Sequence, residues 1–500
     1  MWNFAQQLLI PPSTPEWLRF VAVVLGICTV IGVGELIRLR FRWSPEFTRK
    51  LVHISVAILI FFAPKIFERA LPPVIMAVLF CIVAYAGIRL GLLKSMHAIA
   101  RGSYGTLYYP LAFLILVVLF WNSHPEIVSL SMLALGLGDA SAAIVGESIR
   151  HPIEFRLTAD KKSIQGSIAM FATTLVGLLA GMIYFFDGMV FSSGAMFTAL
   201  VCSSLIATAW EALSSRGLDN LTIPLSVSFV LFYSFVPTSM QDLPQFVTGV
   251  GLGLLIAILS FRVRFLTASG SVATFLLASF VYGVGGWKWT IPILTFFVLS
   301  SLLSNLGKKK KASLATVFEK TSTRDFGQVA ANGGVAGILV LLQYLFQNVN
   351  FYPMYLGAVA AVTADTWGTE IGTFFRGKTI SIISFKNVEP GTSGGISVAG
   401  VFGGMLGSLV IASSALYWVL DFKTVFVVVV GGILGSTIDS LAGATVQASY
   451  RCGNCGKSTE KTIHCGAPSV MMGGIRWINN DVVNWLCALS GTALAMIIQP

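Results

Sequence analysis

Charge is scarce in this chain. Only 11% of its 500 residues are Asp, Glu, Lys or Arg, while 55% are hydrophobic, and the mean hydropathy is +0.81. A soluble globular domain carries about 25% charged residues, so a water-borne fold is excluded. There is no basic stretch ahead of a cleavable apolar segment at the N-terminus, nor an Arg/Ser-rich one. The first hydrophobic run is therefore expected to stay as an anchor instead of acting as a signal or transit peptide. A GxxxxGK[ST] motif and an HRD/DFG kinase set are expected to be absent, so any nucleotide would need a binding fold made of membrane helices.

What the chain has is apolar length. Runs of roughly 17–25 residues, each long enough to span a bilayer, recur from end to end. About sixteen can be counted, from 17–37 through 127–149 and 353–373 to 481–498. The expected fold is all-α and polytopic, with about 16 transmembrane helices in two duplicated halves. The net charge of +11 does not imply nucleic acid, because basic residues in short loops gather on the cytoplasmic side of membrane proteins. With sixteen spans and the N-terminus outside, Arg19, Lys65, Arg69, Lys288 and Lys423 face outward, and the other 28 of the 33 Lys and Arg face inward. Both termini are expected outside a bacterial plasma membrane.

The pair Arg262 and Arg264 closes one block and "TASGSVATF" opens the next, which divides the chain into 1–262 and 263–500. Polar features then repeat in order. "TRKLVHI", Asp139, "ADKKSIQGS" and "WEALSSRGLDNLTIP" are followed by "TRDFGQVAANGG", Asp365, "FKNVEPGTSGG", "STIDSLAGATVQ" and "NNDVVN". Asp139 to Lys162 is 23 residues and Asp365 to Lys386 is 21, while Lys162 to Glu211 is 49 and Lys386 to Asp439 is 53. Order, residue type and spacing together imply an internal duplication. In the sixteen-span topology every one of these clusters falls at a cytoplasmic helix end or loop.

An ionised acid near mid-bilayer costs roughly 2.5–3.5 kcal/mol on insertion scales. Asp139, Asp365, Glu370 and Asp439 therefore need a lysine, a divalent cation or a watery cleft, and the competing view is a structural ion pair or a helix end that reaches the interface. Lys161 and Lys162 beside "SIQGS" resemble a phosphate-holding loop at a helix N-terminus, although positive-inside charge alone also puts lysines there. The glycines of "KNVEPGTSGGIS", with Lys386, permit the same close backbone approach. Arg49, Lys50 and His53 suit phosphate and hydroxyl groups; Arg324 and Gln328 repeat the four-residue interval of Arg49 and His53 in the second half, without a histidine, and Asn332 follows as a further binding candidate. Glu211 and Asp219, followed by Asn220, could join Asp139 in holding Mg²⁺, with Asp365 and Asp439 as the second set. Asn480 and Asp481 close the second series. Phosphoryl transfer asks mainly for positioning and charge neutralisation, and each half carries the needed groups.

Four of the seven cysteines, Cys28, Cys81, Cys202 and Cys487, lie in apolar spans and read as small hydrophobes. "CGNCGKSTEKTIHC" differs, because a disulfide is disfavoured on the cytoplasmic side. In the loop 451–476, Cys452, Cys455, His464 and Cys465 read as Zn²⁺ ligands, with the adjacent His–Cys pair leaving the fourth ligand open and reduced thiols as the alternative.

"TRKLVHI", "GDASAAIVGE", "KKSIQGS" and "EALSSRGLDNLTIP", over roughly 30–240, resemble the CTP-dependent polyprenol kinase family, which includes phytol kinase and dolichol kinase. That resemblance implies transfer of the γ-phosphate of CTP to an isoprenoid alcohol such as phytol, geranylgeraniol or farnesol, with Mg²⁺. It also places Asp139, Lys162, Glu211, Asp219 and Asn220 at the family's polar positions. The second half, with "KTSTRDFGQVAANGG", "ADTWGTEIG", "GSTIDSLAGATVQ", the cysteine loop and "NNDVVN", is similar to the phytyl-phosphate kinase family. This similarity implies a second phosphorylation, from prenyl monophosphate to diphosphate. Two alternatives stay open: a CDP-lipid synthase, which would transfer a cytidylyl group instead, and a transporter, in which duplicated halves and intramembrane acids are also common.

Overall fold

The computed structural model describes residues 12–90, 103–186, 194–235, 243–306, 323–375, 377–419, 421–456 and 458–498. Each of the sixteen apolar runs is helical over most of its described residues. Nine helices among the described residues are long and apolar enough to cross a membrane, and two shorter apolar ones accompany them. The chain is thus a polytopic α-helical membrane protein. The runs 269–285 and 288–305 form one rod, Ala268–Leu306, bent where Gly286 takes φ 65°. The chain separates into two compact units, Met1–Val247 and Thr248–Pro500.

The first unit holds α1 (Thr14–Phe41), α2 (Pro45–Phe61), the single turn α3 (Ala63–Ile66), α4 (Leu71–Leu90), α5 (Gly105–Phe120) and α6 (Pro125–Ser148). A hairpin of β1 (Glu154–Phe155) and β2 (Lys162–Ser163) leads into α7 (Ile164–Phe186), α8 (Gly194–Leu213) and α9 (Asp219–Phe235). Helix α6 is the axis: α2, α7 and α9 all pack on it, and Leu130, Met132 and Leu135 are fully buried. Between helices in lipid, close packing replaces the hydrophobic effect, and small residues permit it. "GLGDASAAIVGE" supplies them. A Cβ on Gly136 would stand 2.2 Å from that of Ala57 on α2, and one on Gly138 would stand 2.4 Å from Thr174 Oγ1 on α7.

Helix α10 (Leu243–Arg262) runs across the division at Val247, and in the second unit the bent α11 (Ala268–Leu306) precedes α12 (Phe326–Leu345) and α13 (Tyr352–Phe375). A second hairpin, β3 (Thr379–Ser381) with β4 (Gly395–Ser397), leads into α14 (Val398–Ser414) and α15 (Phe422–Thr445). A four-stranded sheet follows, in the order β6-β5-β8-β7, built from β5 (Ser449–Cys452), β6 (Ser458–Thr459), β7 (Ile463–His464) and β8 (Ala467–Gly473). Helix α16 (Asn480–Ile498) ends the chain. This sheet is a departure from an all-α expectation, since its strands are too short and polar to show as periodic runs.

The two units share one succession: a buried acid-bearing helix, a short antiparallel hairpin, two helices, a loop, and a helix beginning with Asp or Asn. Helix α13 is the counterpart of α6, with α12, α14, α15 and α16 packed on it.

Candidate functional site

In the first unit the functional residues meet at one end of the bundle. They come from the N-terminal turns of α2, the C-terminal turns of α6 and α8, strand β2 and the start of α9. Lys50 Nζ donates to Asp139 Oδ2 at 2.5 Å, and both side chains are buried. His53, one turn along α2, places Nδ1 4.0 Å from the same oxygen, and its ring lies 5.0 Å from that of Tyr109. No hydrogen-bond partner among the described residues reaches His53 Nδ1.

Lys162 joins the other two acids. Its Nζ lies 2.6 Å from Glu211 Oε1 and 3.8 Å from Asp219 Oδ2. Burial opposes the ammonium charge, but Glu211 and then Asp219 outweigh it and hold the Lys162 pKa above its ordinary value. Asn220 donates through Nδ2 to Asp219 Oδ1 at 3.0 Å and to Gly217 O at 3.1 Å, which fixes the Asp219 carboxylate. Three carboxylates therefore face two ammonium groups, and Glu211 Oε2 is left without a partner among the described residues.

Two expected residues pair outside this cluster. Arg49 turns to Glu46 at 2.5 Å, so Lys50, not Arg49, is the helix α2 cation that reaches Asp139. Lys161 pairs with Glu154 across the hairpin at 2.5 Å on the surface.

The second unit departs from this pattern. Asp365 on α13 and Asp439 on α15 lie within hydrogen-bonding reach of each other. No ion pair to either is formed by the described residues, and Asp439 Oδ2 has no partner there. Two carboxylates this close cannot both stay bare in a bilayer; a shared proton or a bridging cation has to be present. A hard divalent cation, which takes oxygen ligands, fits this donor set. It fits the first unit less directly, because lysines already hold Asp139 and Glu211. Lys386, the sequence counterpart of Lys162, is exposed on the β3–β4 loop.

The glycine loop is instead what approaches the acid pair. Gly394 has φ 74°, and a Cβ there would stand 2.3 Å from Ala444 Cβ and 2.8 Å from Ser440 O, next to Asp439. Ser393 Oγ donates to Glu460 Oε1 at 2.7 Å, and Gln447 Nε2 donates to the same oxygen at 2.9 Å. Sequence reasoning missed Ser393, Gln447 and Glu460. Nothing local signals the link, because the sheet brings Glu460 to a loop 67 residues earlier.

Arg324 is buried, with its guanidinium carbon 5.0 Å from the Phe296 ring centre and 5.8 Å from that of Phe297. Burial lowers its pKa to about 10, against an opposing pull from Glu370. Its backbone is clamped to the chain before α11, Arg324 N to Phe265 O and Thr267 N to Arg324 O, each at 3.0 Å. With Gln328 and Asn332 it forms a polar strip on the wall of a partly open pocket, otherwise lined mainly by apolar side chains such as Leu277, Ile293 and Val329. Gln328 also caps α12, its Oε1 accepting from Asp325 N at 3.2 Å while Asp325 Oδ1 accepts from Gln328 N at 3.0 Å. Glu370 accepts from Ser304 Oγ at 2.7 Å. Asn480 and Asp481 open α16, half-buried; the neighbouring Asn479 caps that helix through Val482 N at 3.1 Å.

The letters of 372–379, "GTFFRGKT", match GxxxxGK[ST], which corrects the expectation that the motif is absent. The structure shows why the match is empty: Gly372–Phe375 finishes α13 and Thr379 starts β3. A phosphate-binding loop runs from strand to helix, and this segment runs the other way. Arg376 lies outside the described residues.

The cysteine loop does close. The ligand atoms of Cys452, Cys455, His464 and Cys465 all lie within 4.8 Å of one another. Hydrogen bonds from the Cys455 backbone and the His464 side chain lower the Cys452 thiol to about 6.

Helices of this length around buried acids define an integral membrane protein with polar sites at helix ends. The chain belongs to the family described as Integral membrane protein DUF92, whose model matches residues 251–492. It is 30% identical to an uncharacterized membrane protein of Methanocaldococcus jannaschii, over 42% of this chain and 86% of that one. It is also 29% identical to the phytol kinase of Synechocystis, over 44% of this chain and 93% of that one. To the chloroplastic protein VTE6 of Arabidopsis thaliana it is 28% identical, over 51% of this chain and 72% of that one. No solved structure matches the chain.

Proposed function

We propose that the chain is a bifunctional isoprenoid salvage kinase. The first unit phosphorylates a prenyl alcohol such as phytol, geranylgeraniol or farnesol, and the second phosphorylates the resulting monophosphate, with CTP as donor in both steps. The observation that carries this proposal is Arg324, a buried cation with no ion pair among the described residues, on the wall of an otherwise largely apolar cavity. A lipid tail with an anionic head matches both features at once. The similarity to a protein named phytol kinase supports the same substrate class for the first step.

In the first step the prenyl hydroxyl oxygen bonds to the γ-phosphorus of CTP, the bond from that phosphorus to the bridging oxygen breaks, and CDP leaves. His53 receives the hydroxyl proton at Nδ1, which has no partner among the described residues; Asp139, 4.0 Å away, offsets the charge the ring then carries, and Lys50 holds Asp139 in place. Lys162 binds the phosphate chain, positioned by Glu211 and Asp219, and Arg49 contributes charge at the same end. In the second step an oxygen of the monophosphate bonds to the γ-phosphorus of another CTP and CDP again leaves. Arg324, Gln328 and Asn332 hold the lipid phosphate, and the Gly391–Gly395 loop faces the donor. Mg²⁺, when bound, supplies charge neutralisation on the transferring phosphoryl group; Asp365 and Asp439 would hold it in the second unit, and Glu211 with Asp219 beside Asp139 in the first. Both sites face the cytoplasm of a bacterial plasma membrane in this scheme, with the termini outside. The monophosphate moves between units by lateral diffusion in the lipid.

The test is to feed membranes containing the chain with phytol, farnesol and geranylgeraniol and CTP labelled at either the γ- or the α-phosphate. Label from the γ position in the lipid product supports the kinase. Label from the α position would mean cytidylyl transfer, as in a CDP-lipid synthase, and would overturn it. No labelled lipid from either donor would also overturn it and return attention to transport.

A further inference from the structure

Between Ser449 and Gly473 the chain forms a four-stranded sheet with almost no interior. Its buried residues among those described are Tyr450, Cys452, Thr459 and His464, while Ile463, Val470 and Met472 are exposed. So small an element cannot hold itself together by apolar burial and needs a cross-link or a metal. The cysteines are free thiols. We propose that Cys452, Cys455, His464 and Cys465 bind one structural Zn²⁺ through three sulfurs and His464 Nδ1, and that this centre holds Glu460 against the glycine loop of the second unit.

The ligand atoms lie close enough together to suit a tetrahedral site. With Zn–S of about 2.3 Å and Zn–N of about 2.0 Å, the edges of such a tetrahedron are roughly 3.8 Å for S–S and 3.5 Å for S–N. His464 Nδ1 lies 3.5 Å from Cys455 Sγ and 3.2 Å from Cys465 Sγ. The obstacle in the sequence was that His464 and Cys465 are adjacent. The structure removes it: Cys465 adopts φ 52° and Gly466 φ 74°, a left-handed turn that brings both side chains to one centre. On the other side Gly456, at φ 68°, returns its amide to Cys452 O at 3.0 Å and closes the CxxC knuckle. Asn454 Nδ2 ties the two knuckles together by donating to Cys465 O at 3.3 Å.

Glu460 lies in the span between the two ligand pairs. Its Oε1 receives Ser393 Oγ and Gln447 Nε2, so the fold of the metal loop sets the position of the "GTSGG" turn beside Asp439. Glu460 is a positioning residue. Its effect on phosphoryl transfer rests on the proposed function, but the metal centre does not.

The full-length chain, purified in detergent from zinc-supplemented cells, is assayed for metal by mass spectrometry and for Co²⁺ absorption after exchange. One zinc per chain is expected, with the intense thiolate-to-cobalt bands of a sulfur-rich tetrahedral site. Cys452→Ser and Cys465→Ser should lose the metal, and Cys28→Ser should keep it. A folded wild-type chain without zinc, or a cobalt spectrum lacking thiolate bands, overturns the site whether or not the variants fold. Limited proteolysis tests the second part. Glu460→Ala should retain zinc yet become more readily cut between Ile382 and Gly394, and cutting there at the wild-type rate would end the positioning role. Because neither readout uses substrate, their failure is distinguishable from failure of the kinase proposal.

Discussion

Lys50 Nζ donates a 2.5 Å hydrogen bond to Asp139 Oδ2, inside the packing of α2 on α6. A carboxylate buried in an apolar bundle is costly to leave alone, and breaking a buried pair by removing one partner costs about 3–5 kcal/mol. Lys50→Met should therefore lower the thermal unfolding temperature in detergent markedly. Lys50→Met combined with Asp139→Asn should recover much of that loss while leaving the first phosphorylation abolished. If the single variant were as stable as wild type, the pair would not be carrying Asp139.

The same pair depends on Gly136. A Cβ there would meet Ala57 Cβ at 2.2 Å, and overpacking of this kind costs about 1–3 kcal/mol. Gly136→Val should push α2 from α6, separate Lys50 from Asp139 and reduce prenyl alcohol phosphorylation more than tenfold. Conversion of supplied monophosphate, assayed in the same membranes, should be unaffected.

Arg324→Met removes the charged hydrogen-bond donor from the apolar cavity. Loss of such bonds costs about 1.5–3 kcal/mol, so kcat/KM for prenyl monophosphate should fall about ten- to a hundredfold. The expected change is chiefly in KM, with Arg324→Lys intermediate. Equal kcat/KM in wild type and Arg324→Met would remove Arg324 from the lipid-phosphate site.

Gly394→Ala places a methyl group 2.3 Å from Ala444 Cβ at a residue whose φ is 74°. Displacing the glycine loop from Asp439 should depress the second phosphorylation at least tenfold while the first continues. Accumulation of monophosphate in a labelled-lipid chromatogram is the readout.

Helix positions were legible in the sequence because apolar length is a local property: each of the sixteen runs is helical over most of its described residues, and the join at Gly286 merges two of them. The acids were legible too, since Asp139 and Asp365 interrupt apolar runs that would otherwise need no charge. Their partners were not. Lys50 is 89 residues from Asp139 and sits beside Arg49, whose preference for Glu46 only three-dimensional packing decides. The matched spacings of Lys162 and Lys386 pointed to equivalent roles, yet one side chain is drawn between Glu211 and Asp219 and the other is exposed. The cysteine spacing showed a metal pattern, but only the left-handed turn at Cys465 shows how neighbouring residues meet at one point.

The most direct measurement supplies prenyl alcohol or prenyl monophosphate separately, with γ-labelled CTP, to membranes carrying wild type, Asp139→Asn or Asp365→Asn. Asp139→Asn is expected to leave the alcohol unphosphorylated but still convert monophosphate to diphosphate. Asp365→Asn is expected to accumulate monophosphate and make no diphosphate from either substrate. Undiminished diphosphate from Asp365→Asn would contradict a second phosphorylation centred on the α13–α15 acid pair.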